Sequence, residues 1–369
     1  METQAAVINE ESGPFEIETL ELDDPMEGEV LVRIVGAGIC HTDISVRDQF
    51  KPIPLPAVLG HEGSGVIEAV GPGVTQVAPG DHVVLSFDYC ETCKNCRRGQ
   101  IAYCDRFYDY NFGGERVTDG TTPLSRDGER VSGMFFGQSS FAEYSIANER
   151  NVVPVSEDAP LELLGPLGCG IQTGAGGVMN VCEPEAGASI VVFGAGSVGL
   201  SAVMAAHAVG CTDIVAVDLI ESRLEKALDL GATHTVDASR TDDVEEAVRN
   251  HLGGGADYTL ETSAQPSVLR TAVDTTRKKG FCGIIGAPRL GTEVSFDVNT
   301  MMRGRVVEGI LMGGGVPNEF IPTLVELQRQ GRFPFDEIIT YYPFEEIERA
   351  VHDHEQGDTI KPIIRMSDP

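Results

Sequence analysis

Polar and apolar positions alternate, or give way to β-branched runs, through the first part of the chain. Residues 5–22 and 29–36 predict short strands broken at Gly13-Pro14 and Asp24-Pro25, and residues 66–70 and 82–85 continue the pattern. Turns at Gly71-Pro72-Gly73 and Pro79-Gly80-Asp81 separate them, so this half reads as β-rich with few helices. Residues 105–133 are polar and glycine-rich, with aromatics at Phe107, Tyr108, Tyr110 and Phe112 and no clear period, and read as a disordered insert or a lid. Phe135-Phe136-Gly137-Gln138-Ser139-Ser140-Phe141 reads as a return to strand.

Beyond Cys169 the period changes. Residues 188–193 form a buried-strand run, glycines follow at 194, 196 and 199, and residues 200–209 continue as an apolar helix. Strand and helix then alternate: strand 213–218, helix 222–230, strand 234–236, helix 242–252, strand 258–262, helix 266–276 and strand 281–285. Two further strands, 293–298 and 306–312, complete what reads as an α/β, doubly wound six-stranded parallel sheet. Gly313-Gly314-Gly315 reads as a hinge, 319–330 and 345–355 as amphipathic helices, and 360–365 as a last strand rejoining the first domain. No internal repeat appears beyond the two halves of the sheet.

The turn Gly194-Ala195-Gly196-Ser197-Val198-Gly199 lies between a strand and a helix, the context that gives a glycine pattern meaning. Glycines there let the backbone approach a pyrophosphate, whose charge rests at the helix N-terminus. Asp218 ends the next strand, nineteen residues past Gly199, where a carboxylate accepts both ribose hydroxyls and repels a 2′-phosphate, favouring NAD over NADP. The bland alternative is a βα turn with no ligand.

At 369 residues and 41% hydrophobic, the chain is long enough for two domains. No run of eighteen apolar residues occurs, which excludes a membrane helix. The first residues lack a basic stretch followed by an apolar one, so a cytoplasmic protein is expected, and reduced cysteines there point to metal rather than disulfides. A formal charge of −30 argues against nucleic acid and anionic membranes as partners. The only lysines are Lys51, Lys94, Lys226, Lys278, Lys279 and Lys361, and such an acid-rich, lysine-poor surface suits concentrated salt, a halophilic setting.

Six of the nine cysteines fall into two patterned groups; Cys182, Cys211 and Cys282 are left over as interior residues. Cys90, Cys93 and Cys96, closed by Cys104, have the two-residue gaps that let thiolates converge on one tetrahedral ion, and four sulfurs close its shell. Cys40 and His61, each in a glycine-rich turn, are the mixed ligands zinc prefers, and Cys169 in Gly165-Pro166-Leu167-Gly168-Cys169-Gly170 offers a third, leaving one position open. Taken singly, each also fits a buried hydrophobe or a satisfied core histidine.

Read in order, Gly-Ile-Cys-His-Thr-Asp from Gly38, Gly-His-Glu from Gly60, the four clustered cysteines, Gly-Cys-Gly-Ile-Gln-Thr-Gly from Gly168 and Gly-Ala-Gly-Ser-Val-Gly from Gly194 resemble the zinc-dependent medium-chain alcohol dehydrogenases over essentially the whole chain. Within them, residues 135–141 and 162–174 resemble the NAD-dependent aryl-alcohol (benzyl-alcohol) dehydrogenases. The resemblance implies a GroES-like catalytic domain at 1–170 and 313–369, carrying a structural zinc lobe at 90–104, and a Rossmann domain at 171–312. It implies one catalytic zinc on Cys40, His61 and Cys169 with Glu62 behind it, one structural zinc, and NAD. Asp43 would orient His61, and Thr42 would hydrogen-bond the substrate hydroxyl and take its proton. Thr173 would pack beside the nicotinamide, Arg223 beside Asp218 at the adenine ribose, and His41 and Lys361 near the pyrophosphate.

Two positions depart from that pattern. Ser45 stands where many relatives have a proton-passing histidine, and Lys361 where many have arginine. Ser86, Phe87, Phe50, Phe135 and Leu311 are the expected pocket wall for a flat aromatic alcohol. The resulting expectation is hydride transfer between an aromatic primary alcohol and NAD, giving the aldehyde, in a homo-oligomer paired through strand 306–312. A thiol-linked formaldehyde dehydrogenase or broad-range primary alcohol dehydrogenase of the same fold is the enzymatic alternative. A non-catalytic zinc-ribbon module is the alternative of another class, against which the missing basic face speaks.

Overall fold

The computed structural model describes residues 1–367, and the chain divides into two compact units: residues 1–169 with 316–325 and 336 onward, and residues 170–315 with 326–335. In the first unit, the strand Glu29–Gly38 is the hub of a seven-stranded sheet. It pairs antiparallel with Gly63–Val70, Tyr144–Asn148 and Lys361–Arg365. Its β-branched run, Val30 to Val35, is buried almost throughout, as suits a strand covered on both faces. Register shifts between Leu31 and Val32 and between Ile34 and Gly36 bend it, so that the ends of both it and Gly63–Val70 arrive at one place. Those ends carry Cys40 and His61. A five-stranded sheet with Glu2–Ile8 and Phe15–Leu22 at its centre completes this unit.

The second unit holds six parallel strands, Ser189–Phe193, Asp213–Asp218, His234–Asp237, Ala256–Glu261, Thr276–Ile284 and Val306–Gly309. Starting from Ser189–Phe193, successive strands run outward to His234–Asp237 on one side and to Val306–Gly309 on the other, the doubly wound order. Val191, Phe193, Val215 and Val217 of the strands, with Val248 and Val273 of the covering helices, form its core, and those strands read as unbroken apolar runs because both faces are covered.

Three expectations are corrected. Residues 293–298 are not a strand: the edge of the sheet is already filled by Val306–Gly309, and Asp297 caps the helical turn Val298–Met301 by accepting from Asn299 N at 2.8 Å. Residues 135–141 are not a strand either, because Phe136, Gly137 and Ser139 all take positive φ and curl the chain tightly. Residues 105–133 are ordered. The helix Phe107–Phe112 is pinned by Asn111, which exchanges two 2.9 Å hydrogen bonds with the Asp88 backbone, and Asp127-Gly128 turns a hairpin between Leu124–Arg126 and Glu129–Val131.

Candidate active site

Cys40 closes the hub strand's run and caps the helix His41–Arg47 with an extended backbone. One turn later comes Asp43, fully buried, whose carboxylate accepts from three donors: Cys40 N at 2.9 Å, Gly60 N at 3.1 Å and His61 Nδ1 at 2.9 Å. That carboxylate therefore ties the two loops together and fixes the proton of His61 on Nδ1. The turn at Gly60 has φ +87°, and a side chain there would meet Phe141 N at 2.5 Å, so only glycine brings His61 into this position. Gln138 donates to the His61 carbonyl at 3.0 Å and accepts from Gly63 N at 3.1 Å, holding the same segment from the other side. Cys169 follows the turn Gly165–Gly168, which Ser86 Oγ anchors through the Gly168 carbonyl at 2.8 Å.

The result is a cluster in which ligand atoms of Cys40, His61, Glu62 and Cys169 all lie within 4.8 Å of one another. His61 Nε2 is buried with no hydrogen-bond partner, a lone pair facing two sulfurs. An unmet buried acceptor is costly unless something accepts its electrons, and a zinc ion fits these donors. The charges agree. The hydrogen bond from Cys169, against the cost of burial and with help from His61, holds the Cys40 thiol well below its ordinary range. Burial pushes the Glu62 carboxyl up to about 7, and Lys361, whose Nζ lies 2.5 Å from Glu62 Oε2, opposes it.

Lys361 is buried beside this cluster. Expected near a pyrophosphate, its ammonium is wholly enclosed, paired with Glu62 and donating to the Ile39 carbonyl at 2.9 Å. It rides on the strand Lys361–Arg365, whose pairing with the hub strand aims it at the cluster. Thr42 is half-buried beside Cys40, and His41 is exposed.

Cys90, Cys93, Cys96 and Cys104 form the second cluster. Backbone amides of Cys90, Cys93, Cys96 and Arg106 point at the sulfurs from 3.3 to 3.4 Å. Against desolvation, such donors from Thr92 and Cys93 bring the Cys90 thiol down to about 6, the thiolate a metal needs. Cys182, Cys211 and Cys282 are buried away from either cluster's ligand set.

In the second unit, Gly194 (φ +99°) turns the chain after Ser189–Phe193 into the helix Ser197–Val209, with Gly196 as its cap. A side chain on Gly199 would collide with the Gly194 carbonyl, so the helix seats against the strand only with glycine there. Gly196, Ser197 and Val198 stay partly accessible. Asp218 accepts from Ala195 N at 2.6 Å, Leu219 N at 2.8 Å and Ile220 N at 2.9 Å, binding the glycine turn to its own strand end. Arg223, on the helix Glu221–Asp229, has a buried Nε without a hydrogen-bond partner. Thr173 is buried on the helix Gly170–Gly176.

Of the aromatic wall beside His61, sequence reasoning named Phe135 and missed Phe136 and Phe112. Phe136 stacks on the His61 ring at 4.5 Å, Phe135 meets it edge-on at 5.3 Å, and Phe112 packs on both at 5.2 and 5.8 Å. Lys51 lies over Phe112, with Nζ 5.8 Å from the ring centroid. Of the expected pocket wall, Phe87 is buried among Tyr89 and Phe107, whereas Phe50 and Leu311 are exposed.

Comparison with known proteins agrees with this geometry. Residues 26–157 match the alcohol dehydrogenase GroES-like domain, and residues 197–329 match the zinc-binding dehydrogenase family. The chain is 44% identical to a geraniol dehydrogenase from Castellaniella defragrans, over 98% of this chain and 97% of that protein. It is 34% identical to a class-3 alcohol dehydrogenase from Caenorhabditis elegans, over 98% and 96%. Among solved structures, benzyl alcohol dehydrogenase from Acinetobacter calcoaceticus superposes with a TM-score of 0.96 at 46% identity, covering 100% of both chains.

Proposed function

The chain belongs to the zinc-binding medium-chain alcohol dehydrogenases, and on that premise we propose that it interconverts a benzyl-type primary alcohol and its aldehyde, with NAD as hydride acceptor. Zinc on Cys40, His61 and Cys169 would supply a Lewis acid that lowers the alcohol's pKa, and NAD the hydride acceptor. Asp43 keeps Nε2 of His61 free as a ligand. Thr42 hydrogen-bonds the substrate hydroxyl and takes up its proton, which leaves by way of a water or the ribose hydroxyl, since Ser45 carries no imidazole. Asp218, its carboxylate fixed at the strand end by three amides, disfavours a 2′-phosphate and supports NAD over NADP.

The aromatic rings packed on His61 are the observation that carries the substrate class: with Phe136 stacked, Phe135 edge-on and the partly exposed Phe112 against both, they make an apolar wall beside the metal ligands. The likeness to a geraniol dehydrogenase favours a second reading, an allylic terpene alcohol, which meets the same face with a planar alkene. Turnover of benzyl alcohol, geraniol, ethanol and a thiol hemiacetal with NAD and NADP, in low and high salt, tests both. Ethanol as the preferred substrate would refute the aromatic reading, and activity that declines toward molar KCl would refute the halophilic one. We also propose a dimer through the edge strand Val306–Gly309, beside which Val298, Met302 and Val306 are exposed. A monomer in sedimentation would refute it.

A further inference from the structure

Lys51 is out of place in this chain. It is one of six lysines facing 57 acidic residues, and most of the cations have found a carboxylate partner. Lys51 has not. Among the described residues its Nζ makes no hydrogen bond and no ion pair; its contact is the face of Phe112. It is nevertheless half-buried, a position that usually requires a partner for the charge. Burial draws its pKa down, while the thiolates of Cys40 and Cys169 draw it back up, which places the ammonium within electrostatic reach of both metal ligands. From Lys51, contact runs through Phe112 to Phe135 and Phe136, and from those rings to His61.

We infer that Lys51 is a specificity residue: its unpaired ammonium, set over the aromatic wall that leads to the cluster of Cys40, His61 and Cys169, selects aromatic alcohols carrying a carboxylate or hydroxyl on the ring away from the carbinol. The inference rests on the aryl-alcohol reading above. A ring lying along the partly exposed Phe112 with its carbinol toward the cluster has a far edge, and the one uncommitted cation of that wall among the described residues is the donor for a group on it. A neutral, unsubstituted ring leaves the ammonium without its bond, so it forfeits the contribution of a charged hydrogen bond. Packing on Phe112 alone is the competing explanation, since an amine over an aromatic face is favourable without any ligand.

The test is kcat/KM for the 3- and 4-(hydroxymethyl)benzoates, 4-hydroxybenzyl alcohol and benzyl alcohol, in the zinc-loaded parent, Lys51→Met and Lys51→Arg. The parent is expected to favour at least one substituted alcohol over benzyl alcohol. Lys51→Met should lower that ratio by roughly ten- to a hundredfold, the weight of one hydrogen bond to a charged group, and Lys51→Arg should restore most of it. A parent ratio near one, or an equal fall on every substrate in Lys51→Met, overturns the inference while leaving the dehydrogenase reading intact. Turnover of ethanol but of no aromatic alcohol would instead remove the aryl-alcohol reading on which it stands.

Discussion

Asp43→Asn changes one atom at the junction of the two loops, and its cost follows from the donors that meet there. Oδ1 accepts from Gly60 N and His61 Nδ1, and Oδ2 accepts from Cys40 N. An asparagine whose amide nitrogen replaces Oδ1 faces both Gly60 N–H and His61; the imidazole must then shift its proton to Nε2, where it blocks the metal. The other orientation sacrifices only the Cys40 N–H, so it prevails. That leaves one buried donor unmet in place of a charge-assisted bond, a loss of about 1.5–3 kcal/mol, or roughly ten- to a hundredfold in zinc affinity at the Cys40–His61–Cys169 site. The assay is competition for zinc against a chromogenic chelator, with the four-cysteine site as an internal reference. The parent should release its zinc in two similarly slow phases and the variant in one fast and one slow phase. A variant whose release is indistinguishable from the parent's would refute the idea that the Asp43 carboxylate holds the Cys40 and His61 loops in place for the metal.

Cys96→Ser should bind one zinc where the parent binds two and unfold at a lower temperature, because metal binding at that lobe is folding free energy; metal analysis finding two would contradict the assignment. For Gly199→Ala, the collision with the Gly194 carbonyl should force the helix Ser197–Val209 off its strand and weaken NAD binding by roughly a hundredfold, while both zinc sites stay filled; unchanged NAD titration would count against a cofactor at this turn. In the zinc-free protein, Glu62 titrates at about 7 when folded against a usual 4.5. The folded state then binds more protons between those values, so this group's contribution is full at low pH and is lost as pH rises through about 7. Glu62→Gln should flatten the fall in melting temperature across that window, and an identical pH profile would dispose of the argument.

What could be read from the residues was whatever depends on short spacing. Two-residue gaps bring Cys90, Cys93 and Cys96 together whatever the rest of the chain does, and the strand, glycines and helix from Ser189 onward are a local unit. Tertiary placement was less legible. The environment of Lys361 depends on pairing with a strand more than 300 residues earlier, and nothing near it in the chain announces Glu62. Alternation at 293–298 suggested a strand, but a strand also needs an open edge, and that edge was taken. The aromatic wall depended on positive φ at Phe136 and Ser139, which sequence pattern does not disclose for residues with side chains. Asp127-Gly128, by contrast, was a hairpin signal in plain view.

The strand that carries Lys361 is synthesised after every ligand of the metal cluster. Until it emerges, the hub strand Glu29–Gly38 presents an open edge, and Glu62 sits without its counter-charge, although every other member of the cluster was synthesised long before. The second unit's six strands, by contrast, are all translated by residue 309, and the unit itself ends at residue 335. The metal site is thereby completed after the sheet: a chain cut short before residue 361 would hold all six parallel strands while Glu62 still lacked the ammonium of Lys361.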